Sequence, residues 1–399
     1  MHSTSFHIVN LGCKVNRVEA DSFRAVLMRG GAVPVSEEAA DLIIVNTCTV
    51  TAEADKKARK AVRHALAVNP FAEVLVTGCA AAIDAELFCA MDPRVRVEGK
   101  AALEAELSRG VADAPMRMGP GFNTRVGLKV QDGCDHACTY CIVHVARGKA
   151  RSVKVDDVVR EARRYFDAGV GEVVLTGIDI GAYRDGDVRL PQLARLLINE
   201  ATATCHDGEQ PARIRISSIE PRNVDDELVD LLASSDGRLC RHLHLPLQSG
   251  STKVLREMER PYTADEYASL VAKLHKRVPS IALSTDVIVG FPGETDDDFD
   301  ATCDLVRDAR FMRLHVFPYS RREGTPAAAR QDQVPAEIKR ERARRLRAIG
   351  EKLAKADLDA RRGSMELCLV EGATCLTESY HEFPSPPQAQ VGTLIPVAL

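Results

Sequence analysis

No stretch of this sequence is apolar for anything near the roughly 18 residues that a bilayer-spanning helix needs, and no low-complexity tract interrupts it. The first residues, Met1-His2-Ser3-Thr4-Ser5, lack a basic patch followed by an apolar run, which is the pattern of a secretory leader. The expectation is a cytoplasmic protein with no membrane partner. An excess of one charge is also missing. The net charge of −4 excludes a whole-molecule polyanion binder, so any nucleic-acid surface must be local.

What is plentiful is cysteine, with twelve in 399 residues. Nothing routes the chain to an oxidising compartment, so disulfides are not the default. Clustered cysteines in a reducing compartment bind metal or do chemistry, and scattered ones are small buried hydrophobes. Cys89, Cys205, Cys240, Cys303, Cys368 and Cys375 fit no ligand pattern and are read as buried or incidental thiols. The 45% hydrophobic content and the length suit two or three domains with sizeable cores.

Residues 6–110 alternate strands (6–11, 42–45, 74–77) with helices (18–29, 52–67, 84–89), as in a doubly wound parallel sheet. Residues 111–124 carry Pro and Gly without periodicity and read as a linker. Strands then recur at 127–130, 172–175, 213–217, 242–245, 281–289 and 314–317, with helices at 155–166, 226–233, 264–275 and 297–309. Such βα repeats close into a barrel or part of one. Residues 335–362 form a basic helix, and short β segments at 366–370, 374–376 and 394–397 fit a small C-terminal β-barrel. The reading is an α/β chain divided at 1–112, 125–333, 334–362 and 363–399.

The sharpest feature is Cys134-Asp135-His136-Ala137-Cys138-Thr139-Tyr140-Cys141, directly after the first barrel strand. That is the C-terminal face, where barrel enzymes place their active sites. A closed zinc site needs four ligands, and His136 or His144 could supply the fourth. Three thiolates on an iron–sulfur cube instead leave one iron open. Polar residues and glycines gather at the following strand ends: Thr176 and Gly177, Ser217 and Glu220, Gln248, then Asp286 and Gly290. Cys13, Cys48 and Cys79 each follow a strand of the N-terminal domain. Strand ends of a parallel sheet share one edge, so these three can converge despite their spacing.

C-x3-C-x2-C after a first barrel strand resembles the radical S-adenosylmethionine superfamily. N-L-G-C-K-V-N, V-N-T-C-T-V-T and V-T-G-C-A, with Q-D-G-C-D-H-A-C-T-Y-C-I-V, A-R-G-K-A-R-S, L-P-L-Q-S-G-S and V-I-V-G-F-P-G-E-T, resemble the methylthiotransferase family over nearly the whole chain. The resemblance implies two [4Fe-4S] clusters, one on Cys134, Cys138 and Cys141 and one on Cys13, Cys48 and Cys79. It implies S-adenosylmethionine held near Tyr140, Thr176, Gly177, Ser217, Glu220, Gln248, Asp286 and Gly290. It also implies a TRAM-like RNA-binding C-terminal domain, a flavodoxin- or ferredoxin-type reductant and a sulfur donor.

G-C-K-V-N and N-T-C-T-V-T look like the branch that methylthiolates C2 of N6-threonylcarbamoyladenosine at position 37 of tRNA. The isopentenyladenosine branch typically carries G-C-Q-M-N. Arg17 stands where Gln is common, and His144-Val145 replaces a common Pro-Tyr. A tRNA anticodon stem-loop needs an electropositive surface. The candidates are Arg147, Lys149 and Arg151 past the cysteine loop, Lys339, Arg340, Arg344, Arg345 and Arg347 on the basic helix, and Arg321 and Arg322. The alternatives are the same chemistry on isopentenyladenosine, and a zinc-stabilised RNA-binding protein without catalysis.

Overall fold

The computed structural model describes residues 4–49, 51–107, 124–205 and 210–399. All but the last residue of the linker read at 111–124 lies outside them. The first sheet comprises β1 (Ser5–Asn10), β2 (Val33–Pro34), β3 (Leu42–Thr47), β4 (Glu73–Gly78) and β5 (Val95–Val97). All its pairings are parallel, in the order β2-β1-β3-β4-β5. Leu-Ile-Ile-Val in β3 and Val-Leu-Val in β4 are continuous apolar runs because both faces are covered. Ile43, Val45, Val74 and Val76 pack with Val62 of α2 (Ala52–Val68), while Leu42, Ile44 and Leu75 pack with Phe23 of α1 (Lys14–Arg29). The helix expected at 84–89 is α4 (Ala85–Cys89), capped by Asp84 through Leu87 N, and a short α3 (Cys79–Ile83), not expected from the sequence, precedes it and ends at Asp84. Helix α5 (Lys100–Leu107) closes this domain.

The core follows: β6 (Arg125–Lys129), β7 (Gln131–Asp132), α6 (Val143–Arg147), β8 (Arg151–Ser152), α7 (Val155–Asp167), β9 (Glu172–Thr176), the β10–β11 hairpin (Arg184–Asp185, Val188–Arg189) and α8 (Leu190–Ala203). It continues through β12 (Arg213–Ile216), α9 (Asp226–Ser234), β13 (His242–His244), α10 (Thr252–Glu257), α11 (Ala264–Arg277), β14 (Ala282–Val289), α12 (Asp296–Ala309) and β15 (Arg313–Pro318). The parallel sheets β6-β9-β12 and β13-β14-β15 are stitched by bridges Ile214–Leu239 and Ser218–His244. Six parallel strands thus form a partial (βα)6 barrel.

After the short α13 (Pro326–Ala329), the long α14 (Ala336–Arg361) runs along β15. Strands β16 (Met365–Val370), β17 (Thr374–Thr377), β18 (Glu382–Pro384) and β19 (Leu394–Ala398) form an antiparallel sheet in the order β18-β17-β16-β19. This domain stoppers the bottom of the barrel. Arg213 donates to the Leu367 and Leu376 carbonyls, and Arg215 to those of Thr377 and Glu378. Both guanidinium groups also clasp the fully buried Glu172, at 2.6 and 2.7 Å. No helix among the described residues is long and apolar enough to cross a membrane.

Candidate active site

Cys134, Cys138 and Cys141 lie on the loop between β7 and α6. The loop enters through Gly133 at φ +72, where a Cβ would come within 2.0 Å of the Lys149 carbonyl oxygen. Thr139 fastens the middle, its amide donating to Met258 O and its hydroxyl to Glu257 O. Each sulfur faces an N–H: His136 N to Cys134 Sγ at 3.4 Å, Arg260 Nη1 to Cys138 Sγ at 3.4 Å, Val143 N to Cys141 Sγ at 3.4 Å. Sulfurs ringed by donors are prepared to be thiolates. Without a cation, burial pushes the Cys134 thiol up to about 12. This donor set therefore fits a cluster that holds the sulfurs deprotonated. His136 and Asp179 lie beside Cys134, their ligand atoms and its sulfur within 4.8 Å of one another, but His136 is paired with the carboxylate. It sits 3.3 Å from Asp179, and that hydrogen bond raises its pKa. An imidazole held toward its protonated form is a poor fourth zinc ligand.

The second set lies at neighbouring strand ends, on one edge of the parallel sheet. Cys13, Cys48 and Cys79 follow the neighbouring strands β1, β3 and β4. Gly12, at φ +104, lies so close to Cys48 that a Cβ would meet its Sγ at 2.6 Å. Asn16 Nδ2 donates to Leu11 O and Thr47 O, tying the first loop to the second. Cys79 Sγ accepts from Arg147 Nε at 3.2 Å. Three cysteines at one sheet edge, with a guanidinium on one sulfur, again suit a cluster more than buried thiols.

Arg147 overturns one expectation. Its place past the cysteine loop suggests a tRNA contact, yet its side chain is only 3% exposed and faces the N-terminal domain. It pairs with Glu19 and Asp132, each at 2.9 Å, and donates to Asn16 Oδ1 at 3.0 Å. Glu19 also receives Lys100 and Lys129. Burial alone would raise the Glu19 carboxyl, but Lys100, Arg147 and Lys129 outweigh it and hold it below its usual value. Asp132 is depressed further by Lys129 and Arg147. Arg322 is likewise not at the surface, because it is buried against Asp55 and Thr49 of the N-terminal domain. These residues clamp the two cysteine-bearing domains together. The spacing of motifs could not reveal them, since Arg147 and Glu19 are 128 residues apart.

The strand-end residues gather around the same rim. Tyr140 packs with Val254, Met258, Phe291 and Tyr319. Thr176 and Gly177 precede a turn that Gln131 braces, its Oε1 accepting from Ile178 N and Asp179 N. Ser217 is buried above β12. Glu220 pairs with Arg260, the donor to Cys138. Gln248 takes φ +65 and bridges to Val287. Asp286 contacts His244 at 3.3 Å. Gly290 turns toward α14, where a Cβ would strike Lys339 Cγ at 2.4 Å. Of the remaining basic residues, Lys149 is exposed and Arg151 pairs with Asp132 at 3.0 Å. Lys339 lies over the Tyr319 ring. Arg340, Arg344 and Arg345 are exposed and pair with Glu337, Glu341 and Asp300. Arg347 donates to Val316 O, and Arg321 is exposed.

Residues 128–306 match the model of the radical SAM superfamily, and residues 5–97 that of the uncharacterized protein family UPF0004. The chain is 39% identical over 376 residues to the threonylcarbamoyladenosine tRNA methylthiotransferase MtaB of Bacillus subtilis (strain 168), covering 89% of this chain and 82% of that protein. It is 34% identical over 406 residues to the tRNA-2-methylthio-N(6)-dimethylallyladenosine synthase of Carboxydothermus hydrogenoformans, covering 95% and 90%. The radical S-adenosylmethionine methyltransferase TsrM of Kitasatospora setae superposes with a TM-score of 0.59 over 82% of this chain and 77% of its own, at 16% identity, a likeness of fold. The chain belongs to the radical S-adenosylmethionine methylthiotransferase family, with S-adenosylmethionine and two [4Fe-4S] clusters as its cofactors.

Proposed function

We propose that this protein adds a methylthio group to C2 of N6-threonylcarbamoyladenosine at position 37 of tRNA. The observation that carries the reading is the meeting of the two cysteine sets across Arg147. One residue, on the helix that follows the first set, grips a sulfur of the second. The choice of threonylcarbamoyladenosine over isopentenyladenosine rests on G-C-K-V-N and N-T-C-T-V-T and on the identity to the Bacillus enzyme. Both kinds of relative resemble the chain.

Cys134, Cys138 and Cys141 would hold the cluster that works with S-adenosylmethionine, and Cys13, Cys48 and Cys79 the auxiliary one. When bound, these groups supply a carbon radical able to take the adenine C2 hydrogen and a methylated sulfur to replace it. The protein's own part is positional. Gln131 braces the turn after β9, Arg260 links Glu220 to Cys138, and the rim residues Tyr140, Thr176, Gly177, Ser217, Glu220, Gln248, Asp286 and Gly290 would hold the methyl donor. Lys149, Arg151, Arg340, Arg344 and Arg345, with the C-terminal sheet, would take the anticodon stem. A splayed base reaches the barrel, as single-stranded RNA recognition normally requires.

Residues 1–112 would then be the auxiliary-cluster domain, 125–333 the radical core, 334–362 a connector and 363–399 the RNA-binding domain. A flavodoxin- or ferredoxin-type reductant, a sulfur donor and a cytoplasmic setting complete the reading. Anaerobic turnover on two anticodon stem-loops, one threonylcarbamoylated and one isopentenylated, tests it. Nucleoside mass spectrometry should find the methylthio product on the first. Product on the second alone would overturn the substrate assignment.

A further inference from the structure

β15 is the last strand of the partial barrel, and its alternation is informative. Leu314 and Val316 face α14, with Leu314 against Gly350 and the Val316 carbonyl taken by Arg347. Arg313, His315 and Phe317 point the other way, into the barrel, and all three are exposed. Side chains that line a lumen and still meet solvent mark an open cavity rather than a packed core. Residues alternate faces along a strand at about 3.3 Å per residue. Phe317 and Arg313 thus sit roughly 13 Å apart, with His315 midway.

The floor of this cavity is Tyr380, from the C-terminal sheet. Arg125, Arg215, Arg313 and Lys14 all lie within 4.7–5.7 Å of its ring centroid. Two of these cations are balanced, Arg125 by Glu371 and Arg215 by Glu172. Lys14 and Arg313 have no carboxylate partner among the described residues. Their positive potential is felt nearby. Burial alone would raise the Tyr380 phenol, but Lys14, Arg125 and Arg215 hold it below its usual value. His315 is pushed down by burial, and His244, Arg313 and Lys14 add to that and outweigh the opposing charge of Asp286. His244, Asp286 and His315 have ligand atoms within 4.8 Å of one another, yet a cation there would face this same positive field. The field calls for an anion.

We propose that Lys14 and Arg313, with His315 above them, bind the carboxylate on the N6 arm of the substrate base, and so select an anionic over an apolar arm. This rests on the substrate reading above. A purine stacked on Phe317, 45% exposed, puts a short acyl arm at the level of His315. From there the carboxylate is within reach of both cations. Lys14 directly follows Cys13, so the anchored carboxylate is held beside the auxiliary cluster's loop. An isopentenyl arm in the same place would leave two cations desolvated and unpaired, which is unfavourable.

The test is equilibrium binding of the reconstituted enzyme to three stem-loop RNAs, bearing threonylcarbamoyladenosine, its uncharged carboxamide analogue, or isopentenyladenosine. Wild type is expected to bind the carboxylate RNA at least tenfold more tightly than the other two. Arg313→Gln should erase that preference by weakening the carboxylate RNA alone, and Arg313→Lys should recover part of it. Lys14→Met should act in the same direction with iron content unchanged. An equal loss on all three RNAs, or an unchanged preference in Arg313→Gln, overturns the proposal. If wild type binds the carboxylate RNA selectively but never methylthiolates it, the substrate reading fails while the arm site stands.

Discussion

Arg147 Nε donates to Cys79 Sγ at 3.2 Å, from the helix that follows the first cysteine loop to a cysteine of the other domain. The same guanidinium neutralises Glu19 and Asp132, both buried. Removing it leaves Glu19 to Lys100 and Lys129 and Asp132 to Lys129 and Arg151, so the loss stays below the roughly 3–5 kcal/mol of a fully stranded buried charge. Arg147→Ala should therefore lower the melting temperature by several degrees. It should also make the auxiliary cluster harder to reduce, because a donor to sulfur stabilises the more negative state. Calorimetry and an EPR-monitored redox titration check the two effects separately.

Acid should open the domain interface. The Glu19 carboxyl is held below its usual value of 4.5 by Lys100, Arg147 and Lys129 against the cost of burial. A depressed carboxylate stabilises the folded state fully above its unfolded pKa and loses that contribution as pH falls through the folded value. Melting temperature should thus fall below about pH 4 more steeply in wild type than in Glu19→Gln. Parallel slopes would remove Glu19 from the account.

Gly12 has no room for a methyl group. At φ +104, with a Cβ 2.6 Å from Cys48 Sγ, Gly12→Ala must displace the second cysteine loop. Iron should drop from about eight to about four per chain, with the cluster on Cys134, Cys138 and Cys141 retained. Anaerobic reconstitution followed by iron assay reads this directly.

Glu172 fastens the barrel floor. It is fully buried between Arg213 and Arg215, which also hold four carbonyls of the C-terminal domain. Glu172→Ala leaves two buried guanidinium groups without their counter-charge, a loss of about 3–5 kcal/mol. The C-terminal domain should loosen, and limited proteolysis near residue 363 should accelerate.

The cysteine loop was legible because its chemistry is local, with three cysteines in eight positions after a strand. Cys13, Cys48 and Cys79 were legible because parallel strands end on one edge. The strands β2 and β5, of two and three residues, were not, being too short for a periodic signal. Arg147 and Arg322 looked like surface cations because a basic side chain in a loop carries no mark of its partner. Only folding brings Glu19 and Asp55 to them. The lumen was hidden for another reason. Arg313, His315 and Phe317 alternate with apolar residues, and that pattern does not distinguish a solvent face from an open cavity.

The measurement that bears most directly on two cooperating clusters is a paired assay of 5′-deoxyadenosine and methylthio nucleoside in single-cysteine variants. Cys138→Ala should form neither product. Cys48→Ala should still form 5′-deoxyadenosine from S-adenosylmethionine under reduction, and no methylthio nucleoside. Methylthio product from Cys48→Ala, or 5′-deoxyadenosine from Cys138→Ala, would contradict the division of labour between the two cysteine sets.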